Sequence, residues 1–252
     1  MKIALLGAGG RMGRAVLEAA AAQSGVTITA AVVRAGSEAA GKEFQGVRFS
    51  TDLKAGLAAA DVLLDFSVPA ATAAALELCL AAKKPLVSGV TGMDVALKEK
   101  LHSAARSIPV LCAPNMSLGV ALLTQLARQA AAVLGPEFDI EILEAHHRHK
   151  KDAPSGTALA LGEAVSEGRG TPLQERGPGP RQEGRIGFAS LRGGDLAGEH
   201  TVLFAGEGER LELSHKAGSR QGFAQGALKA AAWVHAKPAG NYSLADVLGP
   251  LA

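Results

Sequence analysis

The first half of the chain alternates short apolar runs with helical segments, and this alternation constrains the fold more than any other feature. Five runs predict strands, at 2–7, 26–33, 60–67, 84–89 and 108–115, and helical segments follow several of them, at 11–23, 69–84 and 94–106. Because these strands are apolar along their length, both faces of their sheet must be covered. The pattern predicts an α/β domain with a parallel sheet.

The pattern changes after about residue 117. A helix is predicted over 117–135, a strand over 138–147 and a second helix over 154–168, followed by a Gly-, Pro- and charge-rich segment, 168–185, interpreted as a mobile loop. Three strand-like runs, at 185–193, 199–208 and 210–218, predict an antiparallel meander. A helix over 221–234 is expected to return to the first domain. We therefore expect a dinucleotide-binding domain from 1–117 and 219–252, and a sheet-based second domain from 118–218.

Bulk composition narrows the class of protein. The chain has 252 residues, a formal net charge of +2 and 48% hydrophobic residues, which is typical of a globular protein and argues against one that coats nucleic acid. No run approaches the roughly 20 apolar residues that span a bilayer, and the N-terminus does not resemble a signal peptide. Cys79 and Cys112 lie in apolar surroundings without a pairing pattern. Free thiols in a reducing cytoplasm are expected.

A glycine-rich turn, GAGGRMG at 7–13, lies directly between the first predicted strand and the first predicted helix. Glycines let a phosphate approach the backbone closely, and the start of the helix offers unpaired N–H groups with a positive dipole end. The glycines stand at 7, 9, 10 and 13, so the third glycine of the G-x-G-x-x-G pattern comes one place late. Its place between strand and helix favours a pyrophosphate site; the alternative is a tight turn without a ligand.

The end of the second strand bears on the choice of cofactor. An acidic residue there would bind the ribose 2′-OH of NAD, but this chain has Val33 followed by Arg34. A guanidinium can pair with a 2′-phosphate. We expect NADPH to be accepted, with or without NADH; the alternative for Arg34 is a solvated surface cation.

The segment EAHHRHKKDAPSGTA, at 144–158, concentrates histidines and lysines in a nearly neutral chain. A metal site is disfavoured, since neighbouring side chains at a strand end point to opposite faces and the lysines would repel a cation. Nucleic-acid binding is disfavoured because no aromatic residues are interleaved with the cations. A solvated basic loop remains open. The remaining interpretation is acid–base chemistry on an anionic substrate.

The residues that follow support the acid–base interpretation. Ser155 is a suitable N-cap for the predicted helix, so the N–H groups of Gly156 and Thr157 would point out of its start, toward a carboxylate. One loop would then carry titratable donors, fixed cations and an anion site. A cyclic imine or enamine with carboxylate groups fits this combination, with hydride supplied by a nicotinamide.

Several motifs of the chain together resemble one known family. EAHHRHKKDAPSGTALALGEA resembles the signature of the dihydrodipicolinate (4-hydroxy-tetrahydrodipicolinate) reductases of bacterial lysine and diaminopimelate synthesis. GAGGRMGR, DFS at 65–67, GVTG at 89–92, APNMSLGV at 113–120 and GFASLRGGDLAGEHTV at 187–202 are also similar to that family. The resemblance runs nearly end to end. It implies a Rossmann-type domain, and a second α+β domain whose mixed sheet assembles four chains into a homotetramer.

The resemblance also implies roles for individual residues. His146 would be a proton donor or acceptor and Lys150 a second proton donor. The dicarboxylate substrate would be held by His147, Lys150, Gly156 and Thr157. The cofactor pyrophosphate would lie on Gly7, Ala8, Gly9, Gly10, Arg11 and Met12, its ribose–nicotinamide side on Gly89, Val90 and Thr91, and the nicotinamide pocket on Ala113, Pro114, Asn115 and Met116. No metal is implied.

Two alternatives stay open. A different two-domain NAD(P)-dependent reductase, such as an aldose-type enzyme or a semialdehyde dehydrogenase, would share the scaffold. A semialdehyde dehydrogenase needs a catalytic cysteine at a strand-to-helix entrance, which neither Cys79 nor Cys112 provides. The other alternative is a non-catalytic NAD(P)-binding sensor, which would have no use for proton donors.

Overall fold

The computed structural model describes residues 1–173, 175 and 179–250, and the chain divides into two compact units. The first comprises 1–117 and 220–250, and the second 118–219. The strands are β1 (Lys2–Leu6), β2 (Thr27–Val32), β3 (Glu43–Phe44), β4 (Val47–Ser50), β5 (Val62–Asp65), β6 (Leu86–Ser88), β7 (Pro109–Cys112), β8 (Asp139–His146), β9 (Ile186–Arg192), β10 (Glu199–Ala205), β11 (Arg210–Lys216) and β12 (Gly240–Tyr242). The helices are α1 (Arg11–Ala21), α2 (Leu53–Ala58), α3 (Pro69–Ala82), α4 (Val95–Ala104), α5 (Leu118–Val133), α6 (Gly156–Arg169), α7 (Gln221–His235) and α8 (Leu244–Leu248).

The first unit contains an eight-stranded sheet in the order β12-β7-β6-β5-β1-β2-β4-β3. Every pairing is parallel except β3 with β4. The strand order reverses at β1, whose neighbours are β2 on one side and β5 on the other. That is the doubly wound arrangement, in which ligands bind beyond the carboxyl ends of the strands at the reversal. The prediction of a parallel, Rossmann-type sheet is confirmed.

Local sequence explains where the elements of this unit begin. Pro69 opens α3, where a missing N–H costs nothing, while the side chains of Asp52 and Asp94 cap α2 and α4. All four residues of β5 are buried, as the apolar run at 60–67 requires. β5 is therefore covered on both faces in the middle of the sheet. The loops that contain the predicted cofactor residues follow the carboxyl ends of the strands of this sheet.

Sequence reasoning missed several short elements of the first unit. These are the pair β3 and β4, helix α2, strand β12 and helix α8. β4 joins the sheet beside β2 and β12 joins it beside β7, although neither has a continuous apolar run. Partners distant in sequence, rather than local pattern, therefore determine these edge strands.

The second unit contains a four-stranded sheet in the order β11-β10-β8-β9, with α5 and α6 in its core cluster. β9 runs parallel to β8, while β10 is antiparallel to both β8 and β11. The predicted antiparallel meander is therefore wrong in part: β10 and β11 form a hairpin, but β8 lies between β9 and β10. The turn after β9 crosses the end of β8, where Gly193 N–H donates to the carbonyl of His146 at 3.0 Å. The mixed sheet is confirmed.

The mobile loop expected over 168–185 includes residues 174 and 176–178, which lie outside the described residues. Within the described part, Arg181 anchors the chain next to β8. Its guanidinium contacts Glu141 at 2.6 Å and Asp139 at 3.0 Å. In the described ranges, every helix is too short or too polar to cross a membrane.

Candidate active site

The glycine turn lies at the reversal of the strand order, between β1 and α1. Gly7 has φ +80°, and a Cβ placed there would lie 2.5 Å from the carbonyl oxygen of Phe66, at the end of neighbouring β5. A Cβ on Gly13 would lie 2.6 Å from Cα of Ala8. Both positions therefore exclude a side chain. Gly13, which comes one place later than the third glycine of the G-x-G-x-x-G pattern, therefore still allows the close packing of α1 on the turn that this pattern requires.

The start of α1 meets the requirements of an anion site. Its N-cap is Gly10, which offers no side chain to satisfy the first N–H groups of the helix, including those of Arg11 and Met12. A Cβ on Gly9 would lie 3.2 Å from Cγ1 of Val33, so the end of β2 lies against the turn. The exposed residue after Val33 is Arg34. The structure thus brings the predicted pyrophosphate and 2′-phosphate residues to one edge of the sheet.

A buried carboxylate supports the next predicted cofactor segment. Asp65, at the end of β5, is fully buried and accepts hydrogen bonds from the hydroxyls of Ser67, Thr72 and Ser88 at 2.5, 2.6 and 3.3 Å. Ser88 Oγ in turn accepts from the N–H of Val90 at 3.3 Å. The start of the segment Gly89–Val90–Thr91 is therefore fixed by side chains from two adjacent strand ends and from α3.

The same edge carries the predicted nicotinamide residues. The N–H of Ala113 donates to the carbonyl of Ser88 at 3.0 Å, and Met116 is 2% exposed. Asn115 Oδ1 accepts from the N–H of Ser117 at 2.9 Å. A cleft of about 1050 Å³ within the first unit is lined by Val90, Thr91, Ala113 and Pro114, together with residues of α4 and of 241–246.

In the second unit, His146 lies at the end of β8 and is 9% exposed. Its Nδ1 is 2.6 Å from Oε2 of Glu144, which points to the same face of the strand two residues earlier and is 3% exposed. Arg192, the cross-strand neighbour of His146 on β9, contacts both carboxylate oxygens of Glu144, at 2.7 and 2.6 Å. The N–H of Ser155 also donates to Glu144, at 3.2 Å. One buried carboxylate thus joins β8, β9 and the start of α6.

These contacts determine the protonation of the pair. Burial raises the pKa of Glu144, but hydrogen bonds from Arg192, Ser190 and His146 outweigh it and lower the pKa to about 2. An ionised carboxylate only accepts hydrogen bonds, so Nδ1 of His146 donates. Burial lowers the pKa of His146, and the charges of Lys150 and Arg192 act in the same direction, against the raising effect of Glu144. Neutral His146 therefore has a proton on Nδ1 and a lone pair on Nε2.

A second buried histidine lies beside the first. His200, on β10, is the cross-strand neighbour of Glu144, and its ring meets that of His146 edge to face at 5.1 Å. His200 Nε2 is 3.0 Å from Oγ of Ser155, which caps α6 by accepting the N–H of Ala158 at 3.2 Å. Burial lowers the pKa of His200 to about 4, and the neighbouring His146 contributes to the decrease. His200 is therefore neutral at pH 7.

The remaining predicted substrate residues follow β8. His147 N–H donates to the carbonyl of Leu196 at 2.9 Å, and Lys150 Nζ is 2.9 Å from Asp152. Gly156 is exposed as the first residue of α6, and a Cβ added there would meet no atom within 4 Å. The space next to Gly156 is therefore open, and Thr157 is the next residue of α6. The second unit therefore contains all of the predicted proton-donor and substrate residues.

The predicted site residues fall into two groups, one at the carboxyl edge of the first sheet and the other around the end of β8. Sequence reasoning missed Glu144, Arg192 and His200. The i, i+2 spacing of Glu144 and His146 on a strand was an available signal for the first. The other two lie on strands whose pairing the sequence did not reveal.

Two family models match the chain: "Dihydrodipicolinate reductase, N-terminus" over residues 1–116 and "Dihydrodipicolinate reductase, C-terminus" over residues 119–248. The 4-hydroxy-tetrahydrodipicolinate reductase of Zymomonas mobilis is 51% identical, with 99% of this chain and 97% of that protein covered. The protein of the same name from Thiobacillus denitrificans is 49% identical, with 99% and 98% covered. A solved dipicolinate-bound dihydrodipicolinate reductase from Paenisporosarcina is 25% identical, with a TM-score of 0.81 and coverage of 96% and 97%.

A doubly wound sheet with a glycine turn is typical of dinucleotide-binding proteins, and the family models and relatives show the class to be a nicotinamide-dependent oxidoreductase. The matched segments together leave little of the chain outside them. The chain belongs to the dihydrodipicolinate reductase family, and the resemblance drawn from its motifs is confirmed.

Proposed function

We propose that the chain uses a hydride from NADPH or NADH and one proton to convert 4-hydroxy-tetrahydrodipicolinate to tetrahydrodipicolinate, with the 4-hydroxyl group leaving as water, in lysine and diaminopimelate biosynthesis. One observation supports the proposal above the others: His146, Lys150 and the first residues of α6 lie within a twelve-residue segment, 146–157, in a chain similar to these reductases over its whole length. The dipicolinate bound to the Paenisporosarcina relative is a planar dicarboxylate, the kind of molecule that such a segment would bind.

The residues of the first unit fit a dinucleotide. Side chains are excluded at Gly7 and Gly13, and the uncapped start of α1 offers N–H groups to a pyrophosphate. Arg34 would pair with a 2′-phosphate, which favours acceptance of NADPH. The segments Gly89–Thr91 and Ala113–Met116 would contact the ribose and nicotinamide. When bound, the reduced nicotinamide supplies a hydride.

The cations and amides of the second unit would hold the dicarboxylate. We assign one carboxylate to the N–H groups of Gly156 and Thr157, where the helix dipole favours negative charge. His147 and Lys150 would also bind the substrate. Asp152, 2.9 Å from Lys150, keeps this side chain near the site until the substrate carboxylate competes for it. Positive charge here stabilises the electron-rich ring that accepts a hydride.

Two residues would manage protons. Lys150 Nζ donates a proton to the reduced ring, and the lone pair on Nε2 of neutral His146 accepts or relays one. The Nδ1–H bond to Glu144 holds the His146 ring in place while Nε2 exchanges its proton. Each such acid–base group contributes about 10²–10⁴ in rate.

Assembly into a homotetramer is also proposed. The face of the second sheet opposite α5 and α6 exposes Leu143 at 42% and Leu191 at 57%, flanked by the small residues Ala145 and Ala189. Such an apolar sheet face suits contact with further copies of the chain. Light scattering should give the mass of four chains, and Leu143→Lys should reduce it. Location in the cytoplasm stays a prediction, which fractionation of the source cells would test.

A coupled assay tests the activity. Pyruvate, aspartate semialdehyde and the preceding synthase generate the substrate in place, and oxidation of NADPH or NADH is followed by absorbance. We expect oxidation that requires both the synthase and the reductase and that is lost in a His146→Gln, Lys150→Ala double variant. Cofactor oxidation that is independent of the synthase would contradict the proposal.

A further inference from the structure

Glu144 has no role in substrate or cofactor binding above, yet it is the most densely bonded buried charge around His146. Its carboxylate accepts from Nδ1 of His146, from two nitrogens of Arg192 and from the N–H of Ser155. A buried carboxylate is costly unless it is paired. An apolar residue could fill the same space more cheaply if packing were the only requirement.

The geometry points to Glu144 as a positioning residue that, locked by the fork of Arg192, fixes the Nδ1–H tautomer and the ring orientation of His146. The inference rests on the proposed role of His146 in proton transfer. Two parallel contacts to Arg192 prevent the carboxylate of Glu144 from rotating. Its contact with Nδ1 of His146 then leaves one orientation for the imidazole. A carboxylate that orients a catalytic histidine in this way is a recurring device in enzymes.

Arg192 has a second set of contacts that ties the pair to the substrate segment. Its Nη2 donates to the carbonyl of Asp152 at 2.6 Å, and Asp152 is the ion-pair partner of Lys150. The same guanidinium therefore holds the carboxylate behind His146 and the backbone beside Lys150. His146 and Lys150, the two residues that would transfer protons, are thus aligned through one arginine.

The charged and titratable groups facing His146 come from every surrounding element. Glu144 lies on the same strand, Arg192 on β9, His200 on β10 and Lys150 in the segment after β8. Glu144 raises the pKa of His146, after the larger lowering by burial, while Arg192 and Lys150 lower it. Substitutions at Glu144 and Arg192 should therefore shift this pKa in opposite directions.

The test uses the full chain labelled with ¹⁵N-histidine and long-range ¹H–¹⁵N NMR, with the His146 signal assigned by its absence in His146→Gln. In the wild-type protein, neutral His146 should have its proton on Nδ1. Glu144→Gln should lower the His146 pKa, mix the two tautomers and reduce kcat by about 10- to 100-fold, the range for lost orienting partners. Arg192→Met should raise the His146 pKa, because the Glu144 charge then acts on it alone.

Glu141→Gln is the matched control. It removes an arginine-paired carboxylate from the same strand, but Glu141 points to the other face and pairs with Arg181. It should leave the pKa and tautomer of His146 unchanged, and any loss of folding stability in Glu144→Gln can be judged against it by thermal unfolding.

Several results would overturn the inference. They are a wild-type neutral His146 protonated on Nε2, a shift of the His146 pKa in the same direction in both variants, or no shift in either. The tautomer is measured in the wild-type protein and needs no substitution at Glu144, so it decides even if Glu144→Gln fails to fold. It also needs no substrate: a protein without reductase activity but with the expected tautomer and shifts would refute the proposed function and leave the positioning of His146 supported.

Discussion

His200 should make the second unit sensitive to acid. This side chain is 3% exposed, and burial followed by the nearby His146 lowers its pKa from 6.5 to about 4. As pH falls, the unfolded chain binds this proton first, so the stabilisation is complete above pH 6.5 and is lost as pH falls toward 4. Between about pH 7.5 and about pH 4.5, this one group should lower the free energy of unfolding by about 2.5 kcal/mol.

His200→Gln should remove this decrease in the free energy of unfolding at low pH. Glutamine does not titrate and has an amide that can bond to Oγ of Ser155, so the free energy of unfolding of the variant should change less with pH. The only Trp and Tyr of the chain, Trp233 and Tyr242, belong to the first unit, so their fluorescence would not report on the second. Guanidinium unfolding followed by far-UV circular dichroism should therefore be combined with hydrogen exchange of β8 and β10.

The matched control for this experiment is His235→Gln, at an exposed position of the first unit. It should retain the full wild-type decrease in the stability of β8 and β10. If His200→Gln and the wild-type protein lose equal free energy of unfolding between the two pH values, His200 is not held neutral by burial and the reasoning is refuted.

Three further predictions concern activity. Lys150→Ala should lower kcat by about 10²–10⁴ with little change in cofactor affinity, whereas Lys151→Ala should not; equal effects in steady-state assays would remove Lys150 from the chemistry. Gly156→Ala should raise the substrate KM about tenfold with kcat nearly unchanged, because its methyl group would occupy the space in front of the N–H groups to which we assign the carboxylate. Thr157→Val should have a similar effect by removing the hydroxyl beside that carboxylate. Because a Cβ at residue 156 meets nothing, Gly156→Ala should also retain its melting temperature, and an unchanged KM would place the carboxylate elsewhere. Arg34→Gln should raise the KM for NADPH about tenfold but not that for NADH; parallel changes for both cofactors would exclude a 2′-phosphate contact.

The parts of the fold that depend on local pattern could be predicted from sequence. Continuous apolar runs locate β1, β2, β5, β6 and β7, because burial on both faces leaves no alternative to apolar residues. The glycine turn could be predicted for the same reason, since Gly7 and Gly13 leave no space for a side chain. Short edge strands such as β4 and β12 are held by partners far along the chain and leave little local trace.

The meander shows which kind of information was lacking. The turns after β9 and β10 both contain the Gly and acidic residues that favour reversal of the chain, and a reversal occurs at each. Turn residues determine that the chain reverses, but not whether the returning strand pairs with its predecessor or lies one strand further across. Here β8 occupies the place between β9 and β10, because its buried face completes the core beneath α5 and α6.

That one difference in strand order determines the composition of the candidate site. With β8 in the middle of the sheet, His146 and Glu144 gain cross-strand neighbours on both sides, Arg192 from β9 and His200 from β10. In a simple meander of β9, β10 and β11, β8 would have been an edge strand and at most one of these neighbours would have reached it. The titratable signature visible in the sequence thus specifies which groups exchange protons, whereas the insertion of β8 determines the charges that surround them. Substitutions of Arg192 and His200, which the motif alone does not single out, should therefore alter the proton affinity of His146.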